Sequence, residues 1–80
     1  MNFPGFPVGT RVLVNTRNYY SGPARVLAVQ KKYYVVWMQQ QARQQTVPKR
    51  LCAVPSFIGW LYFTRDGDLR VTQTWPLNDW

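Results

Sequence analysis

From Arg11 onward the chain alternates in the manner of short β-strands. In RVLVN, residues 11–15, Val12 and Val14 share one face while Arg11, Leu13 and Asn15 share the other, a period of two built on β-branched residues. The following TRNYYSGP collects Asn18, Ser21, Gly22 and Pro23 and reads as a loop, although it carries Tyr19 and Tyr20. ARVLAVQ predicts a second strand over 24–30, Lys31 and Lys32 make the next connection, and YYVVWM predicts a third strand over 33–38, five of its six residues being aromatic or β-branched. MQQQARQQ has helical propensity, but the short, closely spaced strands before it favour a polar loop or an edge strand entering Thr46-Val47-Pro48. Pro48 stops that strand, PKRL suits one 3₁₀ turn, and a fifth short strand around Cys52, Ala53 and Val54 is complete by Pro55.

The last third predicts a hairpin. FIGWLYF and LRVTQTW flank TRDGD, and an Asp-Gly pair between two apolar runs is a strong hairpin signal, so strands are expected over 57–63 and 69–75. The tail PLNDW is expected to fold back, because a free Trp80 would expose a large apolar ring. Val12, Val14, Val26, Val35 and Leu51 are the expected core, joined by the strand aromatics Tyr34, Trp60, Tyr62, Phe63 and Trp75.

Composition narrows what such a sheet can do. Eighty residues make one small domain, and folding at this size removes only about 60% of the unfolded chain's surface from water. The single cysteine, Cys52, has no disulfide partner within the chain and reads as a small buried apolar residue. With no leader-like run in MNFPGFPVGT, the chain is expected to be intracellular, cytoplasmic or nuclear, rather than secreted. The longest strongly apolar stretch, LCAVPSFIGWLYF, is thirteen residues broken by Pro55 and Gly59, short of the roughly 20 that span a bilayer. Ten Lys and Arg stand against three Asp, with no Glu and no His, giving a net charge of +7. Residues 1–65 hold nine of the positive charges and no acid. Without imidazole or an early carboxylate there is no general acid–base pair, and one thiol with three late aspartates cannot make a tetrahedral metal set. No enzyme activity, metal or cofactor is therefore expected. Asp66 and Asp68 belong to the hairpin turn and are too few for a calcium site.

Laid end to end, VGTRVLVNTRNYYSGPARVLAVQKKYYVVWMQQQARQQTVPKRL resembles the SH3-like barrels of the Tudor, Agenet and KOW superfamily. The shared layout is a glycine before strand one, an aromatic pair and a small residue entering strand two, an aromatic-rich strand three, and V-P-x-x-L near the end. The resemblance covers about residues 8–54. It implies a five-strand barrel over 8–54; the hairpin and tail over 56–77 lie outside the resemblance, and with them the expectation is a single all-β domain over 1–80. It also implies a possible aromatic cage from Tyr19, Tyr20 and Trp37, of the kind that holds methylated Lys or Arg by ring quadrupoles. The turn after strand three departs from that pattern, carrying Met38 and glutamines instead of an acidic, glycine-containing turn. Type II dihydrofolate reductases are also small SH3-like barrels, but this chain lacks the Val-Gln-Ile-Tyr stretch of their pore.

The cations recur at connections: Arg17 in the first, Lys31 and Lys32 in the second, Arg43 beside the glutamines, Lys49 and Arg50 in the terminal turn. In a small barrel alternate connections come to one end, so these residues are expected to form a cationic rim, with Tyr19 and Tyr20 stacking on bases. The expected function is a non-enzymatic basic module that binds DNA or RNA. The alternative is a Tudor-type protein-interaction module: a cage reader, or a phage-type inhibitor seated on an acidic host protein. A homodimer through Phe57, Trp75 and Trp80 is a further expectation.

Overall fold

The computed structural model describes residues 3–16 and 20–75, and among them the fold is all-β. Seven strands form one antiparallel sheet: β1 Arg11–Val14, β2 Gly22–Val29, β3 Tyr33–Met38, β4 Arg43–Pro48, β5 Cys52–Ser56, β6 Gly59–Phe63 and β7 Leu69–Thr72. Their order across the sheet is β4-β3-β2-β1-β5-β6-β7. A 3₁₀ turn at Lys49–Leu51 separates β4 from β5, and it lets the chain leave one edge and return beside β1, where Cys52 pairs with Val14 and Ala53 with Leu13. Among the described residues β4 and β7 are edge strands and the sheet is not closed on itself. No described helix is long and apolar enough to cross a membrane.

Strand period explains the core. Val12 and Val14, Ala24 and Val26, Tyr34, Val36 and Met38, and Val47 are buried and form one cluster with Cys52 and Phe6. Val35 is corrected by this pattern: it alternates with Tyr34 and Val36, so its side chain lies on the opposite, half-buried face. Leu51 is buried as expected. Phe63 packs against the cluster, whereas Trp60 is half-buried and stacks on Trp75 at 5.3 Å between centroids, with 29° between planes.

The sheet is strongly curled. β3 and β6 are four strand spacings apart, about 19 Å along a flat sheet. Yet Phe6 reaches both, its ring centroid 6.2 Å from Tyr34 and 5.0 Å from Phe63. Its backbone N–H donates to Tyr34 Oη at 3.0 Å, so the N-terminal segment is tied into the mouth of the curl. Gly5 permits that approach, because a Cβ there would lie 2.9 Å from Tyr34 Cε1. A β-bulge between Val26 and Ala28 supports the bend, with Leu27 as the extra residue.

Boundaries differ from the sequence expectation where turn-forming residues found backbone partners. β2 begins at Gly22 rather than Ala24, because Gly22 and Pro23 pair with Val14 and Leu13. The glutamine segment resolves into a short turn with Ala42 at φ 53° and then edge strand β4. Phe57 and Ile58 form the β5–β6 turn instead of entering β6. Arg17, Tyr19 and the tail with Trp80 lie outside the described residues.

Candidate nucleic-acid interface

The antiparallel order sends alternate connections to opposite ends. Val14, Gly22, Met38 and Arg43 share one end of β1–β4, while Arg11, Val29, Tyr33 and Pro48 lie toward the other. The anticipated cations are therefore divided between two places. Arg43 belongs to the first end, beside Tyr20, and Lys31, Lys32 and Arg50 to the second.

At the second end a cleft of about 210 Å³ is lined by Lys32, Tyr33, Pro48, Lys49, Arg50 and Arg65. A larger depression beside it, about 620 Å³, is lined by Phe3, Pro4, Lys31, Lys32, Arg65 and Asp66. Arg65 comes from the β6–β7 turn, far along the sheet from Lys32, and the curl brings them together. The N-terminal segment wedges between them: Pro4 lies so near Gly67 that a Cβ there would fall 2.6 Å from Pro4 Cγ. Lys31, Lys32, Arg50 and Arg65 thus converge from three connections, with Asp66 as the one carboxylate among the lining residues. Tyr33, 43% exposed, supplies a ring in the same cleft.

Lys49 lines the cleft wall, but its amine is turned inward and adds nothing to the cationic surface. It is 1% exposed. Its Nζ donates to the Pro4 carbonyl and lies 5.6 Å from the Tyr34 ring centroid and 6.0 Å from that of Phe3. Burial pulls its pKa below the ordinary lysine value. The sequence places Lys49 in a terminal turn, where a lysine is normally solvated; the N-terminal segment folding over that turn is what removes it from water.

At the first end Tyr20 is held by its backbone. Its N–H donates to Gln45 Oε1 at 2.9 Å, and Gln45 Nε2 donates to its carbonyl at 2.9 Å, so one amide side chain stands in for a neighbouring strand. The Arg43 guanidinium lies 5.2 Å from the Tyr20 ring centroid and donates to Oη at 3.4 Å. Gln45 is consequently a structural clamp rather than a free amide of the glutamine run.

Tyr20 and Trp37 do not share a face. Arg43 and Gln45 pair with Met38 and Val36, whose side chains point into the curl, whereas Trp37 alternates with them and pairs with Gln44 on the outer side. Tyr20 sits over the inner face and Trp37, 41% exposed, on the outer one. The structure therefore does not bring these two rings of the anticipated cage together, and Tyr19 lies outside the described residues.

Sequence reasoning missed Tyr33 and Arg65 among the residues that line this cleft. Tyr33 directly follows the lysine pair and could have been read with it. Arg65 is masked by the strong turn chemistry of its neighbours, and its convergence with Lys32 depends on the curl. Cys52 is fully buried, and burial pushes its thiol pKa up, which keeps it protonated and unreactive. Compared with protein-family models, with curated proteins and with solved structures, the chain matches none.

Proposed function

We propose that this chain is a non-enzymatic module that binds nucleic acid through its cationic cleft. The observation that carries the reading is the convergence of Lys31, Lys32, Arg50 and Arg65 beside Tyr33, with Asp66 the one carboxylate among the lining residues. Cations with so few acids cost self-repulsion, and that cost is offset when an anion arrives. Phosphates would engage the lysines and arginines, and Tyr33 would offer a ring for an exposed base. Tyr20 with Arg43 would offer a separate, smaller contact at the opposite end. We further propose that β1–β5 constitute an SH3-like barrel of the Tudor, Agenet and KOW type with β6–β7 as an added hairpin. The support is the meander of four strands, the 3₁₀ turn, and the return of β5 beside β1.

The test is an electrophoretic shift with duplex and single-stranded DNA and RNA over a salt series. Replacing Lys31 and Lys32 by alanine should weaken binding to all sequences alike and reduce the salt slope by about 0.9 per lost contact on duplex. An unchanged affinity and slope, with specific retention on an acidic protein, would move the protein-interaction reading ahead.

A further inference from the structure

The outer face of β1–β4 carries a row that the cleft does not use. Arg11 pairs with Arg25, Arg25 with Trp37, and Trp37 with Gln44, so four consecutive strands present these side chains side by side. All four are exposed. Two arginines directly opposite one another on a sheet repel, and the ion pair found among the described residues, Arg70 with Asp68, lies elsewhere. An indole at 41% exposure beside them has no ring partner among the described residues. A sheet seeking only stability would place an acid opposite Arg11 or Arg25, and solubility does not require a tryptophan.

We propose that this row is a second binding surface, one that takes single-stranded nucleic acid. The proposal rests on the nucleic-acid reading above and adds where an unpaired strand lies and which ring reads it. Charge complementarity selects the occupant: two guanidinium groups with no ion pair among the described residues call for phosphates, and the adjacent ring calls for a flat, unpaired base. Neighbouring strands are about 4.8 Å apart, so Arg11, Arg25 and Trp37 span roughly 10 Å, within the reach of one nucleotide and the next. Arg25 and Arg11 hold successive phosphates, Trp37 stacks on a base, and the Gln44 amide meets a base edge or sugar. Duplex bases are already stacked on one another, so duplex gains nothing from Trp37.

The experiment uses the full chain with a labelled twelve-nucleotide oligothymidylate, a duplex of equal length, and poly-glutamate as competitor. Trp37→Ala should weaken the single strand about 5- to 150-fold and leave duplex nearly unchanged. Arg11→Gln with Arg25→Gln should reduce the single-strand salt slope by about 1.4, that is about 0.7 per lost phosphate contact. Trp37→Phe keeps a ring, so it should retain most of the affinity while losing the oligonucleotide-induced quenching of indole emission; full quenching in that variant would overturn the proposal even if Trp37→Ala fails to fold. If wild-type protein binds and both outer-face variants match it while the Lys31 and Lys32 variant fails, the row is wrong and the cleft reading stands. If the wild type binds no nucleic acid at low salt, the underlying reading fails with it. Displacement by poly-glutamate at equal charge concentration, with Trp37 dispensable, would overturn the proposal in favour of an acidic protein.

Discussion

Tyr34→Phe tests the account of how the curl is held shut. Tyr34 is fully buried, and its Oη accepts the Phe6 N–H that anchors the N-terminal segment. Removing the hydroxyl leaves that buried N–H without its acceptor, a loss of about 1–3 kcal/mol at neutral pH. The same phenol makes stability pH-dependent. Burial above all, with the Cys52 thiol adding to it and the Phe6 hydrogen bond opposing it, pushes its pKa from 10.0 up to about 12. A folded-state pKa above the unfolded one gives stability that is fully present below pH 10 and lost as pH rises through 12. The two-unit shift sets that loss at no more than about 2.7 kcal/mol, with about 1.4 kcal/mol gone by pH 11, and any water reaching the hydroxyl reduces both. Cys52 acts with the same sign, so both proteins should carry Cys52→Ala. Lys49 acts with the opposite sign, its lowered pKa adding stability as pH rises toward 10.5, and is common to both. Urea unfolding followed by tryptophan emission at pH 7, 9, 10 and 11 should show wild type ahead at pH 7 and its lead shrinking by up to about 1.4 kcal/mol at pH 11. Parallel curves, or equal stabilities at pH 7, would refute the reasoning.

Three further outcomes follow from named contacts. Gly59→Ala should lower thermal stability by more than about 1–2 kcal/mol, since Gly59 has φ +140° and a Cβ would lie 2.4 Å from the Thr72 carbonyl oxygen. Gly9→Ala, with φ +94° and nothing within 4 Å, should cost only the backbone part of that, and calorimetry of the pair separates clash from conformation. Lys49→Met should leave nucleic-acid affinity within about twofold, because its amine faces the Pro4 carbonyl, while Arg50→Ala and Arg65→Ala should weaken binding, as fluorescence anisotropy would show. Self-association, if it follows the apolar surface, should run through the β5–β6 turn, where Phe57 is fully exposed and Ile58 is 62% exposed. Phe57→Ser with Ile58→Ser should then convert a sedimenting dimer to monomer, and a wild-type monomer at high concentration would exclude that pairing.

What the sequence determined was the local order of the chain. YYVVWM supplies six residues with no turn chemistry, and β3 occupies those six. Pro48 ends β4 because it brings no further N–H to the ladder, and the 3₁₀ turn follows at once. Asp66-Gly67 closes the β6–β7 turn, with the Thr64 N–H donating to the Asp68 carbonyl. The excess of cations and the scarcity of acids were equally plain, since charge is a property of the list of residues. Tertiary structure decided where those charges went. Arg65 meets Lys32 only because the sheet curls, and Lys49 is drawn out of water only because Phe3 and Pro4 fold across it. Tyr20 and Trp37 read as companions along the chain, but Gln45 clamps Tyr20 over the inner face while the two-residue period of β3 turns Trp37 outward. The pairing of Arg11 with Arg25 is likewise a matter of register, which the thirteen residues between them do not reveal. Periodicity and turn chemistry act between neighbours in sequence, whereas the binding surfaces are made by residues that only pairing and curvature bring side by side.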